Sequence, residues 1–167
     1  GETNKVVILV ATSGDTGKAA LEGFADVPGT QIIVFYPSEG VSDIQKQQMI
    51  TQAGKNVKVF GIEGNFDDAQ RGVKEIFGNT ALSDELEKKG YTFSSANSIN
   101  WGRLVPQIVY YFSAYVDAVK AGKIAAGDPI NFVVPTGNFG DILAGYYAKL
   151  MGLPIDRLLC ASNSNNV

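Results

Sequence analysis

The sequence predicts an α/β fold of open parallel sheets with helices on both faces, arranged as three α/β/α layers. Two observations predict this class. Runs of strand length alternate with helical patterns along the chain, as in βαβ units with right-handed crossovers. The first of these runs, residues 5–11, is also continuously apolar and β-branched, as expected of a strand that is buried on both faces. With 45% hydrophobic and 19% charged residues among 167, the chain can bury a substantial core.

Each predicted strand is a short apolar or β-branched run that turn-forming residues close. Residues 5–11 (KVVILVA) precede a glycine-containing turn, and residues 31–36 (QIIVFY) end at Pro37. Residues 91–94 form a shorter run of the same kind. The other three predicted strands are 56–61, 130–134 and 157–161.

The predicted helices are marked by capping residues and by apolar spacing. Alanine and leucine positions predict a helix over 18–25. Ser42 and Gln45 have the spacing of a capping box, for a helix that we expect to end at Gly54. Asn65 is the natural cap of the next helix. The remaining predicted helices are 79–90, 100–122 and 141–151.

Small and turn-forming residues are concentrated at 122–129 (GKIAAGDP), which predicts a domain boundary there. The first domain, 1–122, would hold four βα units, and 130–167 would be part of a second. The chain begins at Gly1 instead of methionine and ends a few residues after its sixth strand. We therefore expect a segment that is truncated at both ends.

Composition excludes several classes of function. The net charge of −3 without a basic block argues against nucleic acid, and no apolar run approaches the ~20 residues of a membrane span. The absence of histidine removes Ser-His-Asp and Cys-His catalysis and, with a single cysteine, structural zinc sites. That cysteine, Cys160, cannot form an internal disulfide, which favours a reducing, cytoplasmic location. Any chemistry must use lysine, carboxylates, amides, backbone dipoles or a cofactor.

The glycine-rich turn after the first strand is the first candidate site. In open parallel sheets, ligands collect at the carboxyl ends of strands, where helix N-termini point. Glycines let the backbone approach a ligand, while hydroxyls and helix-start N–H groups can hold a carboxylate or phosphate. The turn matches neither a Walker A loop nor G-x-G-x-x-G, and an ordinary strand-to-helix turn remains the alternative. The candidate residues are Ser13, Gly14, Asp15, Thr16 and Gly17.

A second glycine-rich turn follows the fifth strand. Its glycines flank Asn-Phe at a helix start, so several N–H groups would point outward toward an anion. A tight βα turn, with an acidic residue against the helix dipole, is the alternative. The candidates are Gly137, Asn138, Phe139, Gly140 and Asp141.

A polar stretch, 95–100 with Arg103, opens the long helix and is the third candidate. Asn100 and Arg103 could reach a ligand, but Ser and Asn are also preferred helix caps, so a capped helix start is equally favoured. On the same helix, the aromatic residues 110–112 (YYF) are predicted to pack in the core.

At these residues the chain resembles threonine synthase, a member of the tryptophan-synthase-like class of pyridoxal-phosphate enzymes. The blocks ATSGDTGKAA, SANSINWGRLVPQIVYYF, VVPTGNFGDILAGYYAKLMGLP and ASNSNNV match in order and spacing from about Lys5 onward. The resemblance implies a tryptophan-synthase-beta-like fold. It also implies a parent enzyme, a carbon-oxygen lyase acting on a phosphate, that converts O-phosphohomoserine and water to threonine and phosphate.

The resemblance also implies roles for the candidate residues. Residues 137–141 would bind the phosphate of pyridoxal phosphate, and residues 13–17 would contact the substrate. Asn100 and Arg103 are the candidates for the substrate phosphate. Residues 1–122 would be the small domain and 130–167 part of the larger cofactor domain.

One departure bears on activity. In the family the Schiff-base lysine lies upstream of SGDTG, in a segment that does not occur here. We therefore expect no catalytic residue in these 167 residues, inactivity in isolation, and the rest of the parent chain as a partner.

Two alternatives stay open. Within the same class, the chain could derive from a cysteine synthase or a threonine dehydratase. From a different class, it could be a non-catalytic doubly wound α/β module that binds an anion or a nucleotide.

Overall fold

The computed structural model describes residues 5–98, 100–135 and 139–162. The chain forms two compact units, Gly1–Asn97 and Ser98–Val167. The first contains eight elements, in order β1 (Lys5–Ala11), α1 (Asp15–Phe24), β2 (Thr30–Pro37), α2 (Asp43–Ile50), β3 (Val57–Ile62), α3 (Phe66–Gly78), α4 (Thr80–Lys88) and β4 (Tyr91–Ser95). The second contains α5 (Trp101–Lys120), β5 (Ile130–Pro135), α6 (Gly140–Leu150) and β6 (Ile155–Ala161). Among the described helices, none is both long enough and apolar enough to cross a membrane.

The first unit is a parallel four-stranded sheet in the order β3-β2-β1-β4. On β1, Leu9 is in register with Ile33 of β2 on one side and with Ser95 of β4 on the other. The chain moves outward from β1 to β3 and then returns to the far side of β1. The strand order therefore reverses at β1, which makes its carboxyl end a topological switch point.

Helices cover both faces of this sheet. On one face, Val10 and Val34 pack with Leu21 of α1 and Met49 of α2. On the opposite face, Leu9 and other alternate β1 residues pack against α3. These two cores confirm the three-layer arrangement for the first unit, and they explain why β1 is apolar throughout.

The second unit is built on the parallel pair β5–β6. Helices α5 and α6 pack on one face of this pair, where Ala144 and Ala148 of α6 are fully buried. On the other face, Val133 and Leu159 are 63% and 44% exposed. Within the described residues of this unit, helices therefore cover one face and not both.

The division between the units differs from the predicted boundary at 122–130. Helix α5 contributes four buried side chains to the core of the second unit, so the structure groups it with β5, α6 and β6. Its amphipathic pattern showed that it buries one face, but not which strands that face would cover. The four buried residues are Leu104, Ile108, Tyr111 and Tyr115.

The predicted elements are all present, with shifted ends. Helix α1 begins at Asp15, three residues before the predicted start, and α2 ends at Ile50 instead of continuing to Gly54. Of the three aromatic residues predicted to pack in the core, Tyr111 is buried and Phe112 is half-buried, whereas Tyr110 is 62% exposed.

The cap predicted at Asn65 forms a capping box with Asp68, which allows a test of helix α3. The Asn65 side chain accepts from Asp68 N–H at 3.0 Å, and the Asp68 carboxylate accepts from Asn65 N–H at 2.9 Å. We expect Asn65→Ala to lower the free energy of unfolding by about 1 kcal/mol, measured by urea denaturation. Asn65→Ser keeps a capping oxygen and should lose much less. Equal stability of the alanine variant and the wild type would contradict the prediction.

Candidate functional site

The turn after β1 is organised by the hydroxyl of Thr12, a side chain that is 1% exposed. Its oxygen accepts from Gly14 N–H at 3.0 Å and from Gly17 N–H at 2.9 Å, and it donates to the Gly14 carbonyl at 3.2 Å. One donor and two acceptors are the full hydrogen-bonding capacity of a hydroxyl. Thr12 therefore fixes the shape of the turn. The sequence pattern directed attention to the five residues after it and missed this role.

The two glycines of this turn are required for different reasons. Gly14 has φ of 152°, and a Cβ there would lie 2.6 Å from the side-chain amide carbon of Gln45. A Cβ on Gly17 would lie 2.5 Å from Cγ2 of Thr12 and 2.9 Å from the sulfur of Met49. The first glycine is thus needed for both backbone conformation and space, and the second for space alone.

Gln45 links the first turn of α2 to this turn. Its N–H donates to Ser42 Oγ at 3.3 Å, as the predicted capping box requires. The side chain does not complete the predicted box: its Oε1 accepts from the Ser42 hydroxyl at 3.0 Å, and its Nε2 donates to Asp15 Oδ1 at 2.8 Å. The amide is thereby used to orient Asp15, a contact between residues 30 positions apart that local spacing could not predict.

The outer side of the turn is accessible. Ser13 and Asp15 are exposed and Thr16 is half-buried, whereas Gly14 and Gly17 are buried. In the described part of the chain, the N–H groups of Asp15 and Thr16 have no protein acceptor. The turn therefore presents two hydroxyls and two helix-start N–H groups at the switch point of the sheet.

Asn97, just beyond β4, fixes the carboxyl end of β1. Its Oδ1 accepts from Ala11 N–H at 3.1 Å, and its Nδ2 donates to the Ala11 carbonyl at 2.8 Å. The side chain is 7% exposed and continues the pairing of β1 with β4 by one further pair of hydrogen bonds. Its amide is thus used for structure and not for a ligand.

The second turn is described only in part. Gly137 and Asn138 lie outside the described residues. Phe139 is the N-cap residue of α6 and is 52% exposed, and Gly140 and Asp141 form the start of the helix. The described portion of this candidate site is therefore a helix N-terminus after a parallel strand, as predicted.

The N-terminal end of α6 is held by Tyr111 of α5. The Tyr111 hydroxyl donates to the Asp141 carbonyl at 2.8 Å and lies 3.3 Å from the Asp141 carboxylate. Burial raises the pKa of Tyr111 well above its usual value, and the nearby Asp141 carboxylate acts in the same direction. The phenol therefore remains protonated, and a hydrogen-bond donor, throughout the physiological pH range.

Asn100 and Arg103 lie at the N-terminal end of α5, whereas Tyr111 lies in the middle of this helix. The Asn100 side chain caps α5, accepting from Gly102 N–H at 2.9 Å. Arg103 is exposed and lies eight residues before Tyr111, or about 12 Å along a helix that rises 1.5 Å per residue. The structure therefore does not bring these two candidates to the residues at the start of α6.

Comparison with known proteins was made on this geometry. No protein-family model matches the chain. The crystal structure of threonine synthase from Escherichia coli superposes with a TM-score of 0.82 at 38% identity, over 98% of this chain and 36% of that one. The pyridoxal-phosphate-bound threonine synthase from Brucella melitensis gives 0.72 at 47% identity, over 97% and 33%. The chain thus has the tryptophan-synthase-beta-like α/β fold.

The curated relatives are consistent with these structures. Human threonine synthase-like 1 is 49% identical over an alignment 167 residues long, which covers 96% of this chain and 22% of that protein. The chain is therefore homologous to threonine synthases over nearly all its length, and it spans between a fifth and about a third of the length of the relatives it matches.

Proposed function

We propose that this chain supplies two anion-binding turns to a pyridoxal-phosphate-dependent threonine synthase. One turn, 137–141, would bind the cofactor phosphate, and the other, 13–17, would bind the amino-acid end of the substrate. The complete enzyme would convert O-phosphohomoserine and water to threonine and phosphate.

The capping of the helices carries this proposal. In the described ranges, the N-cap residues of α2, α3, α4 and α5 each accept a hydrogen bond from a first-turn N–H through the side chains of Ser42, Asn65, Asn79 and Asn100. The N-cap residues of α1 and α6 are Gly14 and Phe139, whose side chains contain no acceptor. These are the two helices that follow the glycine-rich turns. At α1 the Thr12 hydroxyl accepts from Gly17 N–H, but the N–H groups of Asp15 and Thr16 have no acceptor in the described part of the chain. First-turn N–H groups of this kind favour binding of an external anion.

The described residues fit a cofactor phosphate at α6. Gly140, at the start of α6, has no side chain that would obstruct an anion at this helix N-terminus. Pyridoxal phosphate, when bound, supplies an electron sink for carbanion chemistry. The role of this chain would be to bind and orient the cofactor through residues 137–141.

The turn at α1 suits the substrate. A substrate carboxylate could accept hydrogen bonds from the N–H groups of Asp15 and Thr16. The hydroxyls of Ser13, which is exposed, and of Thr16 could donate to the carboxylate or accept from the amino group. Asp15, oriented by Gln45, would contribute a negative charge. The Arg103 guanidinium, with Asn100, would bind the substrate phosphate.

We further propose that the 167 residues alone do not catalyse this reaction and require the rest of a longer polypeptide. Exposed apolar side chains in the second unit support a requirement for further packing. On α5 these side chains are Val105, Val109 and Val116, each at least 39% exposed. On the uncovered face of the β5–β6 pair they are Val133 and Leu159. Such a surface is unusual for a chain that acts without a partner.

The test is an assay of phosphate and threonine release from O-phosphohomoserine. We expect the full-length protein with pyridoxal phosphate to turn over and the 167-residue chain to show no turnover. Activity of the short chain would overturn the proposed inactivity. If the full-length protein has no activity and does not bind pyridoxal phosphate, the proposed function is wrong. A rise in melting temperature with flavin or inorganic phosphate, and not with pyridoxal phosphate, would favour a non-catalytic binding module.

A further inference from the structure

We propose that Tyr111 is a positioning residue for the cofactor-phosphate turn, because its side chain contacts both elements that flank residues 136–138. This inference rests on the function proposed above. Nothing in the reaction requires a tyrosine at this position, and its role would be exerted through the backbone of α6.

The phenol contacts the element after the turn. Its hydroxyl donates to the Asp141 carbonyl at 2.8 Å, and the side chain is 4% exposed. Asp141 lies in the first turn of α6, so this hydrogen bond fixes the helix at the end where an anion would bind. Loss of this donor would free the first turn of α6 from its contact with α5.

The aromatic ring contacts the element before the turn. It packs edge-to-face on Phe132 of β5, with ring centroids 4.8 Å apart and an angle of 67° between the planes. Phe132 lies in the middle of β5, three residues before the end of the strand that leads into the turn. One side chain thus links the strand that enters the turn to the helix that leaves it.

Gly145 allows this close packing. A Cβ at Gly145 would lie 2.6 Å from Cε1 and 2.7 Å from Cζ of Tyr111, and 3.0 Å from Leu158 Cδ2. Only glycine lets the ring lie against the backbone of α6 one helical turn after Asp141. The ring position is therefore set by α6 and β5 together, and the hydroxyl position follows from it.

Tyr115 provides a matched control on the same helix. It is 7% exposed, and its hydroxyl accepts from Gly127 N–H at 2.8 Å and donates to the Asp128 carbonyl at 3.1 Å. It fixes the loop before β5 and not the turn after it. Tyr111→Phe and Tyr115→Phe each remove one hydroxyl of a buried tyrosine and retain the ring. The two variants should therefore lose similar amounts of folding stability, and only an effect on the turn should distinguish them.

The experiment measures the affinity of the full-length protein for pyridoxal phosphate by fluorescence titration of the apoprotein, together with the ³¹P resonance of the bound phosphate. We expect Tyr111→Phe to weaken cofactor binding by about fivefold to tenfold and to shift or broaden the resonance, as loss of one buried hydrogen bond implies. Tyr115→Phe should change the affinity by less than about twofold despite a comparable drop in melting temperature.

Equal cofactor affinity of Tyr111→Phe and the wild type, or equal losses in both variants, would overturn the inference and leave the proposed function intact. Failure of the wild type to bind the cofactor would instead overturn the proposed function. Should Tyr111→Phe not fold, Gly145→Ala displaces the same ring from the opposite side, and unchanged cofactor affinity in that variant would overturn the inference.

Discussion

Replacing Gly17 by alanine is expected to lower the free energy of unfolding by about 3 kcal/mol, because the new methyl group has no space. It would lie 2.5 Å from Cγ2 of Thr12 and 2.9 Å from the sulfur of Met49, both in side chains that are at most 1% exposed. Thr12 cannot move without losing its hydrogen bonds to the turn. The variant should therefore lose stability, which urea denaturation would report. It should also lose the shape of the turn at residues 13–17, which the affinity of the full-length protein for the proposed substrate would report.

Gly23, in the same helix, is the control for this substitution. A Cβ at Gly23 meets nothing within 4 Å, and the residue lies inside α1. Gly23→Ala should therefore stabilise the protein by about 0.5–1 kcal/mol. Opposite signs for the two glycine substitutions are expected, and the same sign for both would contradict the packing seen at Gly17.

A double-mutant cycle identifies the atom that causes the clash. Thr12→Ser removes the Cγ2 methyl group that lies nearest to the added carbon. Gly17→Ala should be less destabilising in the Thr12→Ser background than in the wild type, since the two changes share one contact. Additive effects would indicate that the collision with Met49 dominates.

Thr12→Val is expected to lower the free energy of unfolding by about 2 kcal/mol, although it preserves the size and shape of the side chain. The hydroxyl makes three hydrogen bonds within the turn, and valine leaves the Gly14 N–H without its acceptor in a buried position. Gly17 N–H is less affected because it also lies 3.1 Å from the Gly14 carbonyl. The loss should be visible in urea denaturation, and the KM for the substrate should rise as the turn loosens.

Thr12→Ser separates the hydroxyl from the methyl group. It keeps the hydrogen bonds and removes one buried methyl, which should cost about 1 kcal/mol. A substrate KM near that of the wild type is expected for the serine variant. If the valine and serine variants have the same stability and KM, the hydroxyl does not organise the turn.

The layered fold could be predicted because β1 and β2 contain continuous apolar runs at 6–11 and 32–35, and a strand that is covered on both faces needs that pattern. The caps at Asn65 and Asn100 were also visible, since a polar side chain before a helical stretch satisfies a local requirement. The location of the glycine-rich turn at the carboxyl end of β1 could also be predicted, since a turn must separate a buried strand from the helix that follows it.

The contacts that shape the site depend on distant parts of the chain and could not be predicted. Gln45 meets Asp15 only because β1 and β2 are neighbours, and helical spacing indicates that Tyr111 is buried without identifying Asp141 as its partner. The early start of α1 has a local origin that the apolar spacing does not reveal. Thr12 organises the residues before the helix through a buried hydroxyl, which leaves Asp15 and Thr16 free to adopt helical geometry.

The hydrogen bonds between Ala11 and Asn97 join residues 86 positions apart. Loop-closure entropy makes such a contact one of the slower to form when the chain refolds, and β4 is the last strand of its sheet to be synthesised. A nascent chain that ends before β4 would lack both the neighbouring strand and the amide that fix the carboxyl end of β1. Competence to bind a ligand at residues 13–17 should consequently arise late in biosynthesis, after the fold of the preceding strands is already established.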